Sequence, residues 1–210
     1  MASNDAGTES RWTELSPLSG VVFVLVYVVG VLLIALYEYL PEPATIAATF
    51  EVDSSRITAG ATIASASVFF LLWFMGSLRS FLVAHEDGDG RLSSIAFAGG
   101  IASSVMVLMS SVAMLVMAQR AGQESGIDPN IAALGYDLYS TIAGNGMPVA
   151  MAAMIAATGI VSIRTRALPR WFGWVSAALA IGLLTPINWV LVALVFPWIV
   201  VASVWIYIKA

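Results

Sequence analysis

The amino-acid sequence predicts an all-α fold, a polytopic integral membrane bundle of six transmembrane helices with short loops. Of its 210 residues, 60% are apolar and 10% are charged, whereas soluble domains carry roughly 25% charged residues. So few charges cannot cover a water-exposed surface. The apolar residues also fall into runs close to the roughly 20 residues that a helix needs to cross a hydrocarbon core.

The chain divides into a polar tail and one apolar region. Residues 1–17 contain Asp5, Glu9 and Glu14, the wrong charge for the start of a cleaved signal peptide, and we predict a disordered cytoplasmic tail. Residues 18–210 are predicted to form a single transmembrane domain. Its predicted spans are 18–39, 57–83, 94–118, 139–163, 171–184 and 189–207.

Polar or helix-breaking segments separate the predicted spans. Pro41–Pro43 ends the first span, the charged, glycine-rich loop His85–Arg91 follows the second, and Thr185–Asn188 separates the fifth from the sixth. Asp128 followed by proline has the form of a helix N-cap with proline in the first helical position. This pattern predicts a short outer surface helix, Pro129–Leu138, before the fourth span.

Basic residues are distributed unevenly between the two sides of this arrangement, and an excess of Lys and Arg favours the cytoplasmic side. Both termini are therefore predicted to be cytoplasmic. The basic residues on that side are Arg11, Arg79, Arg91, Arg164, Arg166, Arg170 and Lys209, against Arg56 and Arg120 on the other.

The residues that the chain lacks exclude several reaction classes. It has no cysteine and a single histidine, His85, which excludes disulfides, thiolate centres, bis-histidine haem and an HExxH zinc site. The one lysine, Lys209, lies outside the interior of every predicted span, which excludes a mid-membrane Schiff base. We predict no enzymatic activity and no cofactor, and the net charge of −4 gives no reason to expect nucleic acid.

Two patterns resemble metal sites without completing one. The loop 85–92 matches the middle of an EF-hand, but its first and twelfth positions would be His85 and Ala96, which are not carboxylates. Methionines recur at helical spacing, and their thioethers suit Cu(I). We predict a tight turn and core packing, hence no metal, with calcium and copper as the alternatives. These methionines are Met106, Met109, Met114, Met117, Met147, Met151 and Met154.

One face of the third span consists of small residues. Glycine and serine let helix backbones approach closely in lipid, so this face predicts close helix packing, and a narrow wet pathway is the alternative. The face comprises Gly99, Gly100, Ser103, Ser104, Ser110 and Ser111.

The fourth span contains a predicted kink. Pro148 has no N–H for the carbonyl of Gly144, and Gly146 loosens the same turn. Asn145 is the strongly polar side chain of this turn, and it either lines a polar site or bonds to a neighbouring helix. The candidate polar site is Asn145, Glu38, Asp137 and Tyr139.

The junction before the fifth span has the residue types of a membrane interface. Basic side chains meet lipid phosphates, and tryptophans anchor at the headgroup level, so we expect contact with anionic lipid at the cytoplasmic face. The interface residues are Arg164, Arg166, Arg170, Trp171 and Trp174.

The run Leu168–Trp174 (LPRWFGW) resembles the junction of a bacterial family of small multi-pass membrane proteins of unknown function. Leu78–Arg79, Gly90–Leu92 and Asp128–Pro129 belong to the same resemblance, which covers residues 57–185. The resemblance implies a similar helical bundle in the bacterial cytoplasmic membrane, and it implies no particular site residue.

These patterns predict a non-enzymatic structural or accessory subunit of a membrane assembly, either a homo-oligomer or a complex with a membrane partner. The small-residue faces favour this interpretation because they suit close packing between helices. The alternative is a channel or transporter for a small solute or ion, with its polar site at the kinked fourth span.

Overall fold

The computed structural model describes residues 15–34, 42–86 and 88–209, and the structural statements below concern these residues. They form helices and connecting turns with no strand among them, which confirms the all-helical prediction. Most of the predicted tail and Glu38 lie outside the described residues.

Seven α-helices account for most of the described chain. A 3₁₀ turn, Ser16–Leu18, leads into the first of them. The helices are α1 (Ser19–Ile34), α2 (Pro43–His85), α3 (Arg91–Ala121), α4 (Pro129–Thr141), α5 (Met147–Thr165), α6 (Arg170–Leu183) and α7 (Asn188–Lys209). A π-helical turn, Ile142–Gly146, joins α4 to α5. The predicted surface helix is therefore the start of a longer helix and not a separate element.

Five helical segments are long and apolar enough to cross a membrane, so the prediction of transmembrane helices is confirmed to that extent. They are Ser16–Ile34, Pro43–His85, Arg91–Ala121, Pro129–Thr165 and Asn188–Lys209. The predicted fifth span corresponds to α6, which has 14 residues and is only about 21 Å long at roughly 1.5 Å per residue. Six spans therefore stay a prediction.

The helix α2 extends beyond the membrane span predicted from the sequence, 57–83. The helix begins at Pro43, whereas the predicted span begins at residue 57. The added segment contains Glu51, Asp53 and Arg56, whose charges do not suit lipid, and several alanines, which favour a helix. With 43 residues, α2 is about 65 Å long, roughly twice the thickness of a hydrocarbon core. Part of it therefore extends beyond any bilayer that it crosses.

Two predicted helix boundaries are confirmed. The side chain of Asp128 accepts hydrogen bonds from the backbone amides of Asn130 at 2.9 Å and Ile131 at 3.3 Å, as an N-cap does at the start of a helix. The predicted break at Thr185–Asn188 is also present, since α6 ends at Leu183 and α7 begins at Asn188.

The predicted domain 18–210 contains two compact units. The first comprises the described residues up to Val24, Phe69–Ser104 and those from Pro148 onward, and the second comprises Leu25–Val68 and Val105–Met147. Each unit has its own core. Fully buried side chains include Phe74, Leu78, Leu82 and Ile155 in the first unit and Phe50, Ile57 and Met114 in the second.

Each unit contains a crossing at which two helix backbones touch. In the second unit, a Cβ added to Gly60 of α2 would lie 2.7 Å from the carbonyl oxygen of Gly30 in α1. In the first unit, a Cβ added to Gly173 of α6 would lie 3.1 Å from the carbonyl oxygen of Gly159 in α5. These crossings leave no room for a side chain, so glycine is what permits the helices to approach.

Candidate functional site

The described part of the predicted polar site lies on the surface of α4 and the π-helical turn. Asn145 and Asp137 are exposed, and Tyr139 is half-buried. Ser140 and Thr141, which lie between them in the chain, are exposed as well. Because residues three to four positions apart share a helix face, Asp137, Thr141 and Asn145 form one exposed polar face. We call these residues, with Ser140, the polar face.

Asn145 belongs to the π-helical turn, and the local sequence explains that turn. The N–H of Met147 donates to the carbonyl of Ile142, five residues earlier. Pro148 has no N–H with which to restore the α-helical bond to Gly144. The predicted kink position is thus a π turn, a feature that occurs frequently at functional sites in helical proteins.

The small-residue face of α3 is buried along its whole length. Near its start, a Cβ added to Gly99 would lie 2.7 Å from the backbone nitrogen of Met154 in α5. The hydroxyls of Ser103 and Ser104 donate to carbonyls of their own helix, at 2.8 and 2.9 Å. The contact at Gly99 favours close packing over a wet pathway for this part of the face.

The methionine clusters lie mainly in the cores of the units. The thioether of Met75 contacts Gly100, and that of Met117 contacts Gly135, so that each flexible side chain fills the space beside a glycine. Within the described ranges, no three His, Cys, Asp or Glu side chains come together as a metal site would need. The buried members of the clusters are Met114, Met147, Met151 and Met154.

The interface residues predicted from the sequence all lie in the first unit, and all are exposed. Trp171 and Trp174 at the start of α6 are 57% and 64% exposed. Arg166 has a φ of 59°, a left-handed conformation that few non-glycine residues adopt, and it follows the end of α5. Among the described residues, no acidic side chain forms an ion pair with Arg164, Arg166 or Arg170.

In the EF-hand-like loop, the side chain of Glu86 bonds to the start of α3. Its Oε1 accepts a hydrogen bond from the Leu92 amide at 2.8 Å, and its Oε2 accepts from the Ser93 amide at 2.8 Å and from the Ser93 hydroxyl. These amides belong to the first turn, where N–H groups have no partner within the helix. The carboxylate thus serves as a helix cap.

The surroundings of Glu86 favour the ionised form of its carboxyl group. Partial desolvation raises the pKa of this carboxyl, but the hydrogen bonds from Ser93 and Leu92 and the positive charge of Arg164 outweigh that effect and hold the pKa below its ordinary value. Sequence reasoning missed this role, because a cap is expected directly before a helix. Gly88 and Gly90 lie between Glu86 and α3 with φ of 122° and 71°. These two glycines are the feature of the sequence that could have indicated a turn bringing Glu86 back to the helix.

The helices α6 and α7 form a hairpin within the first unit. The indole N–H of Trp198 donates to the Ser176 hydroxyl at 2.8 Å, in the buried middle of the pair. At one end the Lys209 ammonium donates to the Ala167 carbonyl at 3.1 Å. At the other end Gly182 faces the side chain of Leu191. The sequence did not predict this Trp198–Ser176 pair.

Comparison with known proteins found no relative of this chain. No family model matches the chain, and no curated protein or solved structure matches it. The similarity of the Leu168–Trp174 junction to a bacterial multi-pass family therefore stays a prediction.

Proposed function

We propose that this protein is a non-enzymatic helical-bundle subunit of a membrane assembly and that its contact surface includes the polar face. The observation that carries the proposal is the exposure of Asn145 on Pro129–Thr165, a helix long and apolar enough to span a membrane. An amide that faces lipid has no water to bond, whereas a facing helix supplies polar partners.

The composition of the polar face supports a second copy of the chain as the partner. Thr141, Ser140 and Asp137 add donors and acceptors on the turns before Asn145. A two-fold interface brings the same surface together from both subunits, and amide and hydroxyl groups can each donate and accept. We therefore favour a homo-oligomer, with a different membrane subunit as the alternative.

Disulfide crosslinking in the membrane tests this contact. The chain has no cysteine, so Thr141→Cys introduces one thiol without background. We expect mild oxidation to give a covalent dimer of Thr141→Cys and not of Ile131→Cys, an exposed position of α4 outside the polar face. Absence of a dimer from Thr141→Cys, or equal yields from both variants, would contradict a homo-oligomer formed through this face.

We further propose six spans, with both termini on the cytoplasmic side of a bacterial inner membrane. Support for α6 as the fifth of the six spans comes from the hairpin. The α7 residue Leu191 lies against Gly182 of α6, and Lys209 at the end of α7 bonds to Ala167 just before α6. A helix that accompanies a membrane-spanning partner over this length crosses much of the same thickness. The excess of basic residues supports the orientation, which places the exposed Arg164, Arg166 and Arg170 beside anionic lipid.

The π-helical turn favours a second candidate function, a channel or transporter for a small solute or ion. A ring of copies would surround a path with Asp137 and Asn145 if the polar faces pointed inward. Flux from liposomes that contain the purified protein tests this function. Flux that Asn145→Leu abolishes while the oligomer persists would support it, and absence of flux with common monovalent ions would count against an ion path.

A further inference from the structure

A crevice of about 280 Å³ lies within the first unit, where the end of α2, the start of α3 and the end of α5 meet. It is lined by Glu86, Leu92, Val161, Arg164 and Thr165. Its volume is near the lower limit of small-molecule sites, about 300 Å³. Three helices begin or end here, and the membrane placement proposed above puts these helix ends at the level of the lipid headgroups.

The crevice carries two opposite charges that do not neutralise each other by direct contact. The Glu86 carboxylate is fixed by its hydrogen bonds to the first turn of α3. Arg164 is exposed, and its guanidinium forms no ion pair with Glu86 although its charge acts on that carboxylate. A ligand in the crevice therefore meets both a negative and a positive charge.

We propose that this crevice binds the headgroup of a phosphatidylethanolamine lipid, with the phosphate at Arg164 and the primary ammonium at Glu86. The proposal rests on the membrane placement proposed above. It assigns Arg164 to a zwitterionic headgroup because Glu86 lines the same crevice, and it leaves Arg166 and Arg170 with anionic lipid. Guanidinium binds phosphate through paired N–H donors, and an ammonium donates to a carboxylate. Leu92 and Val161 supply apolar surface for the carbon atoms beside the phosphate.

Other headgroups fit these charges less well. A headgroup that carries only phosphate leaves the Glu86 carboxylate without a cation, and the two negative charges repel each other. A choline headgroup has the phosphate, but its quaternary ammonium has no N–H to donate to Glu86. The pair of residues therefore selects for a zwitterion with a primary amine.

Lipid retention in mixed nanodiscs tests the assignment. The full chain is assembled with equal parts of phosphatidylethanolamine, phosphatidylglycerol and phosphatidylcholine, and native mass spectrometry identifies the lipids that stay bound. We expect several-fold enrichment of phosphatidylethanolamine on the wild type and loss of that enrichment in Arg164→Gln. Arg166→Gln is the matched control, because it removes an exposed arginine that does not line the crevice.

A second variant separates the two halves of the site. Glu86→Gln is expected to move the preference from phosphatidylethanolamine to phosphatidylglycerol, since the phosphate contact remains. Equal losses in Arg164→Gln and Arg166→Gln, or no enrichment of phosphatidylethanolamine over phosphatidylcholine, would overturn the proposal. A monomeric wild type that still enriches phosphatidylethanolamine would overturn the proposed membrane assembly and leave the proposed lipid site intact. Failure of the lipid site and failure of the assembly are therefore distinguishable.

Discussion

The carboxylate of Glu86 is held at the first turn of α3 by hydrogen bonds from Leu92 and Ser93, so its charge state affects the stability of that helix start. Folding lowers the pKa of this group. A carboxyl whose pKa is lowered stabilises the folded state above its unfolded pKa, about 4.3 for glutamate, and this contribution is lost as the pH falls through the folded pKa.

We predict that Glu86→Gln lowers the free energy of unfolding at pH 7 by about 0.5–2 kcal/mol, the usual effect of losing a helix cap. The variant should also lose stability less steeply than the wild type as the pH falls below about 4.3. Thermal unfolding in detergent at several pH values measures both effects. Asp89→Asn removes an exposed carboxylate of the same loop and is expected to unfold like the wild type; equal behaviour of both variants would rule out the cap.

Residue roles were predictable where the signal is local. The cap at Asp128 is predictable because the acid, the proline and the helix follow one another directly in the chain. The role of Glu86 depends on a turn that brings its carboxylate back to the amides of Leu92 and Ser93, six and seven residues later in the chain. No local sequence pattern predicts this contact. The exposure of Asn145 depends on the phase of its helix, which the π turn alters, so the sequence identified the residue and not its surroundings.

Helix crossings within each unit depend on glycine at the point of contact. On α2, Gly60 meets the Gly30 backbone of α1, whereas Gly76 has no atom within 4 Å of its ideal Cβ position. Within one helix, the packing therefore requires glycine at position 60 and does not require it at position 76. This contrast separates the effect of close approach from the intrinsic cost of glycine in a helix.

We predict that Gly60→Ala lowers the free energy of unfolding by about 1–3 kcal/mol, because its methyl group forces α1 and α2 apart. Gly76→Ala should be neutral or stabilising by up to about 1 kcal/mol, since alanine favours the helix. Unfolding of both variants in the same detergent gives the comparison. If Gly60→Ala is as stable as Gly76→Ala, the backbone contact does not hold these helices together.

Element boundaries were predictable where they coincide with a change in polarity or a proline. The break before Asn188 follows from a polar segment with Pro186. The helix α2 begins before the span predicted from residue 57, because hydropathy reports the part of a helix that suits lipid and not the part that continues into water. The π-helical turn was predictable as an irregularity from Pro148, although proline alone does not specify which irregular form results.

At the scale of the whole molecule, the presence of helices long and apolar enough to cross a membrane was predictable from composition, because only 10% of the residues are charged. The division into two units was not predictable, since it depends on contacts between residues far apart in the chain. The number of crossings depends on α6, whose 14 residues are short for a hydrocarbon core of about 30 Å. The topology therefore requires a direct test.

We predict that single cysteines in the cysteine-free chain report six crossings. In intact cells, a membrane-impermeant maleimide should label Gln123→Cys and Ile187→Cys, and it should label Asp89→Cys and Arg166→Cys only after permeabilisation. All four positions are exposed, and the wild type supplies the unlabelled control. Labelling of Ile187→Cys only after permeabilisation would mean that α6 does not cross the membrane.

Native mass in nanodiscs, with every co-purifying chain identified, tests the central claim most directly. For the wild type we predict a complex heavier than the 22.2 kDa chain, as a multiple of it or with a stoichiometric membrane partner. Asn145→Leu should release the monomer, whereas Asn130→Leu, the same change at an exposed position near the start of α4, should leave the complex intact. A wild type that is a lone monomer, or an Asn145→Leu complex identical to the wild type, would contradict an assembly formed through the polar face.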